Sequence, residues 1–246
     1  MNPLQHPSEL KDYYQDTRVV GDYMRKRTTQ PLGSVMHREQ VRFLNHVIAE
    51  RKPHFVLEVA PGPARLTAEV MQVPFGVAAE FSPAMISAAR VRLESAGRRW
   101  QIVRADAFSL PLPGGHFDLV YTLRFLRHFS LAERARLYAE IRRVLRPGGL
   151  LVMDAQNRAV RDSGHVERHA VYDELYSAES LRLEVESHGF RLAQLYGVIQ
   201  HHRLQRRVNR LRAFGLDRLA RSVIAALERL PSDNPSTWMV ACERQP

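Results

Sequence analysis

Three carboxylates stand at or just beyond the ends of three successive apolar runs. Glu58 lies in the run 54–59, Glu80 closes 75–80, and Asp106 follows 101–105. Between the first two comes a turn of small residues, Ala60-Pro61-Gly62-Pro63-Ala64, with Glu80 placed 18 residues after Gly62. Gly62 allows close approach of the backbone to a ligand, and the alanines keep the turn narrow. A carboxylate at the second run's end can accept hydrogen bonds from both hydroxyls of a ribose. An aspartate at the third can accept from an exocyclic amine such as adenine N6. A single acid of this kind often only caps a helix. Three at successive run ends define a nucleoside pocket.

Further chemistry is available after the fourth run, 117–122, which continues into Leu123-Arg124-Phe125 and then His128. His128 could take a proton from a hydroxyl or a phenol, or serve as a polar residue before Ser130, which reads as a helix N-cap. Arg124 could hold an acidic group of a substrate or pair with a neighbouring carboxylate. His165, His169 and the pair His201-His202 are further polar candidates in inserts. Asp154 and Asn157 supply two oxygen ligands, too few for a divalent metal site, so no metal is expected.

The elements that must position these residues alternate. Apolar runs at 54–59, 75–80, 101–105, 117–122 and 150–154 are separated by expected helices at about 64–72, 83–97 and 131–146, while 107–116 is rich in proline and glycine. A helix is also expected over 37–51, from the spacing of Phe43, Leu44, Val47 and Ile48, with Pro53 stopping it. This alternation predicts an α/β fold: a mostly parallel sheet with helices on both faces. Such sheets bind ligands outside the carboxyl ends of their strands.

The set LEVAPGPARLT (57–67), AAEFSPAMISAAR (78–90), RADAFSLPLPGGHFDLVYT (104–122) and LRPGGLLVMDAQN (145–157) resembles the class I S-adenosylmethionine-dependent methyltransferases. Residues 176–195 resemble that family's later helix and sixth strand, and 236–244 its antiparallel seventh strand, so the resemblance spans roughly 36–246. It implies a Rossmann-like sheet of seven strands and S-adenosylmethionine as cofactor. By resemblance, Glu58, Ala60 and Gly62 would contact the methionine part, Glu80 the ribose, Phe81 and Met85 the adenine face. Asp106 would take adenine N6, the backbone of Ala107 the ring edge, and Leu123 would lie beside the sulfonium. The family's usual three loop glycines are here reduced to one, flanked by prolines that remove N–H donors. A nicotinamide dinucleotide site would need G-x-G-x-x-G, of which one glycine is present.

Composition bounds the rest. The chain has 246 residues, 45% hydrophobic and 25% charged, an ordinary globular make-up with no span of about 20 apolar residues. Its lone cysteine, Cys242, excludes an internal disulfide, and a soluble cytoplasmic protein is expected. The net charge of +10 admits a nucleic-acid partner, but no dedicated RNA-binding appendage is evident. Cys242 lies in the last strand, away from any cofactor, and the Asn/Asp-Pro-Pro-aromatic turn of base amino-methylation is replaced by Thr122-Leu-Arg-Phe125. The domain expectation is an N-terminal helical cap over the site (1–35) and a methyltransferase domain (36–246) with a helical insert at about 200–232. That insert carries eight arginines between 203 and 230 against Asp217 and Glu228, beside a helical apolar stripe. It fits either a membrane-surface helix pair or a cap whose stripe packs inward and leaves the arginines in water. The expected acceptor is a small molecule, natural-product, quinone-like or lipid-like, methylated at oxygen or nitrogen. An RNA methyltransferase is the alternative, and a non-enzymatic protein with a degenerate cofactor fold is a third class.

Overall fold

The computed structural model describes residues 7–15, 29–161 and 172–246. Parts of the expected cap (1–6 and 16–28), together with His165 and His169, lie outside the described residues.

Helix α1 is Pro7–Gln15 and α2 is Pro31–Arg51. Proline in its first turn suits the start of α2, and Lys52 in a left-handed conformation ahead of Pro53 ends it. Strands β1 (Phe55–Val59) and β2 (Phe75–Glu80), helix α3 (Pro83–Ser95) and strands β3 (Trp100–Arg104) and β4 (Phe117–Thr122) follow. Then come a short 3₁₀ turn, Leu126–His128, helix α4 (Leu131–Val144), β5 (Leu145–Asn157) and β6 (Leu175–Tyr176). Helix α5 (Ala178–Ser187), β7 (Phe190–Val198), α6 (His202–Val208), α7 (Asp217–Glu228) and β8 (Thr237–Arg244) complete the chain. Ser130 caps α4 in a reciprocal capping box with Glu133.

The sheet order is β3-β2-β1-β4-β5-β8-β7, with the two-residue β6 beside the end of β5. All pairs are parallel except those made by β8, which is antiparallel to β5 and to β7. The sheet is thus the expected Rossmann-like one, with a short eighth strand added. Alternate strand residues feed two cores. Leu57, Val120 and Leu151 pack on one face with Leu137 and Ile141 of α4. Val56, Leu119 and Val152 pack on the other with Phe43 and Leu44 of α2. The chain leaves β1 in one direction and returns at β4 on its other side, so the topological switch point lies between them, where ligands bind.

Two expectations change. The helix expected at about 64–72 is a run of turns over 62–69. Ala60, Gly62 and Ala64 all take left-handed φ, at 54°, 59° and 55°. Ala60 and Gly62 each precede a proline, which disfavours the right-handed helical conformation. Helix-type bonds form only later, from Ala68 N–H to Ala64 O and from Val70 N–H to Leu66 O. The insert also differs. It breaks at Gly215 (φ 73°), and Asp217 sits in the first turn of α7 without a side-chain capping bond. Only Ala220 and Ile224 of α7 are buried, and Ile224 joins the core that includes Phe43 and Leu44 of α2. Most of the apolar stripe faces outward.

Candidate active site

A cavity opens at the carboxyl ends of β1, β2, β3 and β4, with about 860 Å³ of open space, mouth included. Ala60 and Gly62 line it after β1, Glu80, Phe81, Ser82 and Met85 after β2, and Asp106 and Ala107 after β3. Leu123, Arg124, Phe125 and His128 line it after β4, and Leu10, Lys11 and Tyr14 of α1 close the mouth. Eight of the nine expected cofactor residues therefore share one cavity. No residue of the 200–232 insert lines it among the described residues.

Glu58 is the exception. It is fully buried beneath the loop, where it accepts hydrogen bonds from the Thr67 hydroxyl and, at 2.8 Å, from the Tyr121 hydroxyl. Glu58 and Tyr121 are register partners on β1 and β4 and face the same side of the sheet. Burial pushes its carboxyl up to about 7, against the lowering effect of those two hydroxyls. The expected convergence of three carboxylates is thus a convergence of two.

Glu80 is fixed by backbone. Its Oε2 accepts from Gly62 N–H and its Oε1 from Ser82 N–H, both at 2.9 Å. Burial raises its pKa while these N–H bonds oppose the shift. The bond to Gly62 draws the loop onto this carboxylate. A Cβ at Gly62 would stand 3.8 Å from the Met85 sulfur, so the glycine is needed there for its φ rather than for space.

Asp106 accepts from Phe108 N–H at 3.1 Å through Oδ1 and meets the Lys11 ammonium at 2.6 Å through Oδ2. The same ammonium lies 4.7 Å above the Phe81 ring centre. An amine donor thus already occupies the acceptor expected to take adenine N6. Ser82 adds a bond from its hydroxyl to the Tyr14 carbonyl at 2.9 Å, so α1 is tied to both acidic strand ends.

Across the cavity, Arg124 has left-handed φ (62°), and its N–H donates to Asp154. Asp154 and Asp173 both face the buried Arg127, at 3.6 and 3.3 Å. Asn157 ties a turn, donating to Pro235 O and accepting from Ala159 N–H. His128 Nδ1 lies 2.7 Å from the Tyr172 carbonyl and 3.1 Å from an Asp173 oxygen. Burial would raise the Asp173 pKa, but Arg127 and the His128 hydrogen bond outweigh it and hold the carboxyl well below its usual range. Both neighbours of Nδ1 are acceptors, so Nδ1 carries a proton and Nε2 is the ring nitrogen left for a ligand. Sequence reasoning missed Asp173. It lies 45 positions after His128, and no spacing rule joins them.

Arg161 extends this charged cluster. Burial first, then Arg127, pull its pKa down to about 10, opposed by Asp173 and Asp154. His202 of α6 is pushed down to about 4, by burial and then by Arg161 and Arg206. His201 bonds through Nε2 to Leu230 O at 3.1 Å.

Residues 56–149 match the family model of a methyltransferase domain. Together with the sheet order and the strand-end site, this makes that segment similar to the class I methyltransferases. Demethylmenaquinone methyltransferase of Thermus thermophilus is 36% identical over 107 residues, covering 42% of this chain and 48% of that protein. A ubiquinone/menaquinone biosynthesis C-methyltransferase of Pseudomonas putida is 36% identical over 131 residues, covering 50% and 49%. The chain thus spans about half the length of the curated relatives it matches. The fold extends further. Magnesium protoporphyrin IX methyltransferase from Synechocystis superposes with a TM-score of 0.66 at 12% identity, over 98% of this chain and all of that one. A [4+2]-cyclase, SpnF, superposes at 0.57 with 20% identity, over 83% and 80%. The architecture alone therefore does not fix the reaction.

Proposed function

We propose that the protein transfers a methyl group from S-adenosylmethionine to a small, quinol-like ring. One observation carries the reading: Glu80 and Asp106, at adjacent strand ends, share a cavity with His128, whose Nδ1 is held by Asp173 and the Tyr172 carbonyl. The residues fit the cofactor. Gly62, held on Glu80, gives the backbone a narrow turn, Glu80 offers a buried acceptor for ribose hydroxyls, and Phe81 and Met85 flank the adenine side. Asp106 would receive N6 in place of the Lys11 ammonium, with the Ala107 backbone at the ring edge. Ala60 and Leu123 border the methionine end. Bound there, S-adenosylmethionine supplies an electrophilic methyl group.

The acceptor side falls to Arg124 and His128. His128 Nε2 takes the proton of a ring hydroxyl, which raises the electron density of the ring. Asp173 and the Tyr172 carbonyl hold the imidazole for that transfer, and the Asp173 charge stabilises the imidazolium that results. Arg124 holds the oxygen left negative. The relatives named as C-methyltransferases support ring carbon as the acceptor atom, in place of the oxygen or nitrogen expected from the sequence; S-adenosylhomocysteine would leave, and the hydrogen on the methylated carbon would depart as a proton to restore the ring.

Calorimetric titration tests the cofactor half. Saturable S-adenosylmethionine binding is expected, weakened in Asp106→Ala and Glu80→Ala, and no binding by the parent protein overturns the reading. Radiolabelled methyl transfer to demethylated quinols tests the acceptor half. Label entering tRNA instead would replace the acceptor and leave the cofactor site standing, whereas binding with no transfer to any acceptor would favour a non-enzymatic role.

A further inference from the structure

The insert presents a surface that the cavity does not explain. Of the eleven large apolar side chains exposed among the described residues, six lie between 204 and 230, from Val223 at 36% exposed to Phe214 at 78%. Leu219 and Val223 stand four apart on one face of α7, with exposed Leu216 just before the helix and Leu230 just after it. The buried side of α7, at Ala220 and Ile224, lies beside that stripe, so the helix is only half covered. Exposed contiguous apolar surface of this kind marks an interaction site.

Charge selects the partner. The segment 203–230 holds eight arginines and two acids. One of the acids, Glu228, is turned inward, accepting from the backbone N–H groups of Ile199 and Gln200 and from the Gln205 amide. The outer face is therefore strongly cationic around an apolar stripe. A second copy docked by this face would set arginine against arginine, which opposes a symmetric dimer. RNA would satisfy the arginines but leave the leucine stripe in water. An anionic bilayer satisfies both, with lipid headgroups taking the arginines and the acyl boundary taking the stripe.

We propose that α6 and α7 form a docking surface for anionic lipid membranes, lying in the plane of the interface. No helix among the described residues is long and apolar enough to cross a membrane, so the contact is peripheral. The surface adjoins the catalytic half of the molecule through Arg206 and His202, which lie within electrostatic reach of Arg161 and, through it, Asp154 behind Arg124. The proposal rests on this surface alone and stands whether or not methyl transfer is demonstrated.

The full chain is floated with vesicles of phosphatidylglycerol and phosphatidylcholine in equal parts, and with phosphatidylcholine alone. Binding is expected to the first, to weaken in high salt, and to fall about tenfold or more in Leu219→Ser/Val223→Ser and in Arg218→Glu/Arg229→Glu. All four positions are exposed, and circular dichroism melting confirms that the variants fold. Absence of the parent protein from the phosphatidylglycerol fraction overturns the proposal. So do equal binding to both vesicle types and unchanged binding by the folded variants. Light scattering that shows a dimer dissociated by Leu219→Ser/Val223→Ser assigns the face to a second copy instead. RNA binding lost only in the arginine variant, without vesicle binding, assigns it to nucleic acid.

Discussion

Replacing Glu58 by glutamine isolates the energetic consequence of its turn away from the cavity. The carboxyl is fully buried against the Tyr121 and Thr67 hydroxyls, and burial raises its pKa from 4.5 to about 7. In the unfolded chain the group ionises near 4.5, so between those two values the unfolded state has lost a proton that the folded state keeps. Stability is then fully present below pH 4.5, falls as pH rises, and levels off above 7. Each pH unit in that window costs about 1.4 kcal/mol, and a span of 2.5 units costs roughly 3 kcal/mol. Glutamine keeps the shape and does not titrate. Its amide adds a pH-independent cost that cancels when pH values are compared. Urea unfolding of both proteins from pH 5 to 9 provides the test. Glu80 and Glu228 are also raised by burial, so the quantity to read is the difference between Glu58→Gln and the parent. Between pH 5 and 8 that difference is expected to move in the variant's favour by about 2–3 kcal/mol. A difference constant across pH would refute a buried, proton-retaining Glu58.

Other perturbations probe neighbouring features. Lys11→Met releases Asp106 from the ammonium 2.6 Å away. The pair is partly exposed and worth at most about 1 kcal/mol, so S-adenosylmethionine affinity should rise by up to about fivefold in calorimetry, and unchanged or weaker binding would exclude competition by α1. Ala60→Gly relieves a left-handed alanine (φ 54°) and should raise stability by about 1 kcal/mol, seen as a higher Tm. A lower Tm would mean that the methyl group packs more favourably than its backbone is strained. The Cys242 thiol is buried and pushed up to about 12 by that burial. It should ignore Ellman's reagent at pH 8 until denaturant is added, and rapid reaction in the native protein would contradict its place in β8.

What was legible in the sequence was whatever depends on neighbours along the chain. The alternation of apolar runs and helices gave the sheet, and acids at or just beyond strand ends gave Glu80 and Asp106, because the carboxyl ends of parallel strands border the crevice. Ser130, a residue type favoured at N-caps, announced the start of α4. Glu58 could not be placed in this way, since its direction is settled by the Glu58–Tyr121 register between β1 and β4, 63 positions apart. Asp173 escaped for the same reason, and Lys11 because a single lysine in a polar helix carries no mark of the aspartate it meets 95 residues later.

The insert makes a sharper case. Its 3.6-residue period was visible, and both sequence readings rested on it. An amphipathic period states only that one face is apolar, not how much of that face the domain covers. Here α2 has room for the small side of α7, Ala220 and Ile224, and Asn209 and Gln205 lock that seating by bonding Leu32 N–H and the Ile224 carbonyl. Once α7 is seated, Leu219 and Val223 have rotated past the contact and remain in solvent. The width of the stripe exceeds the width of the seat, and that mismatch leaves the surface proposed here to meet a membrane.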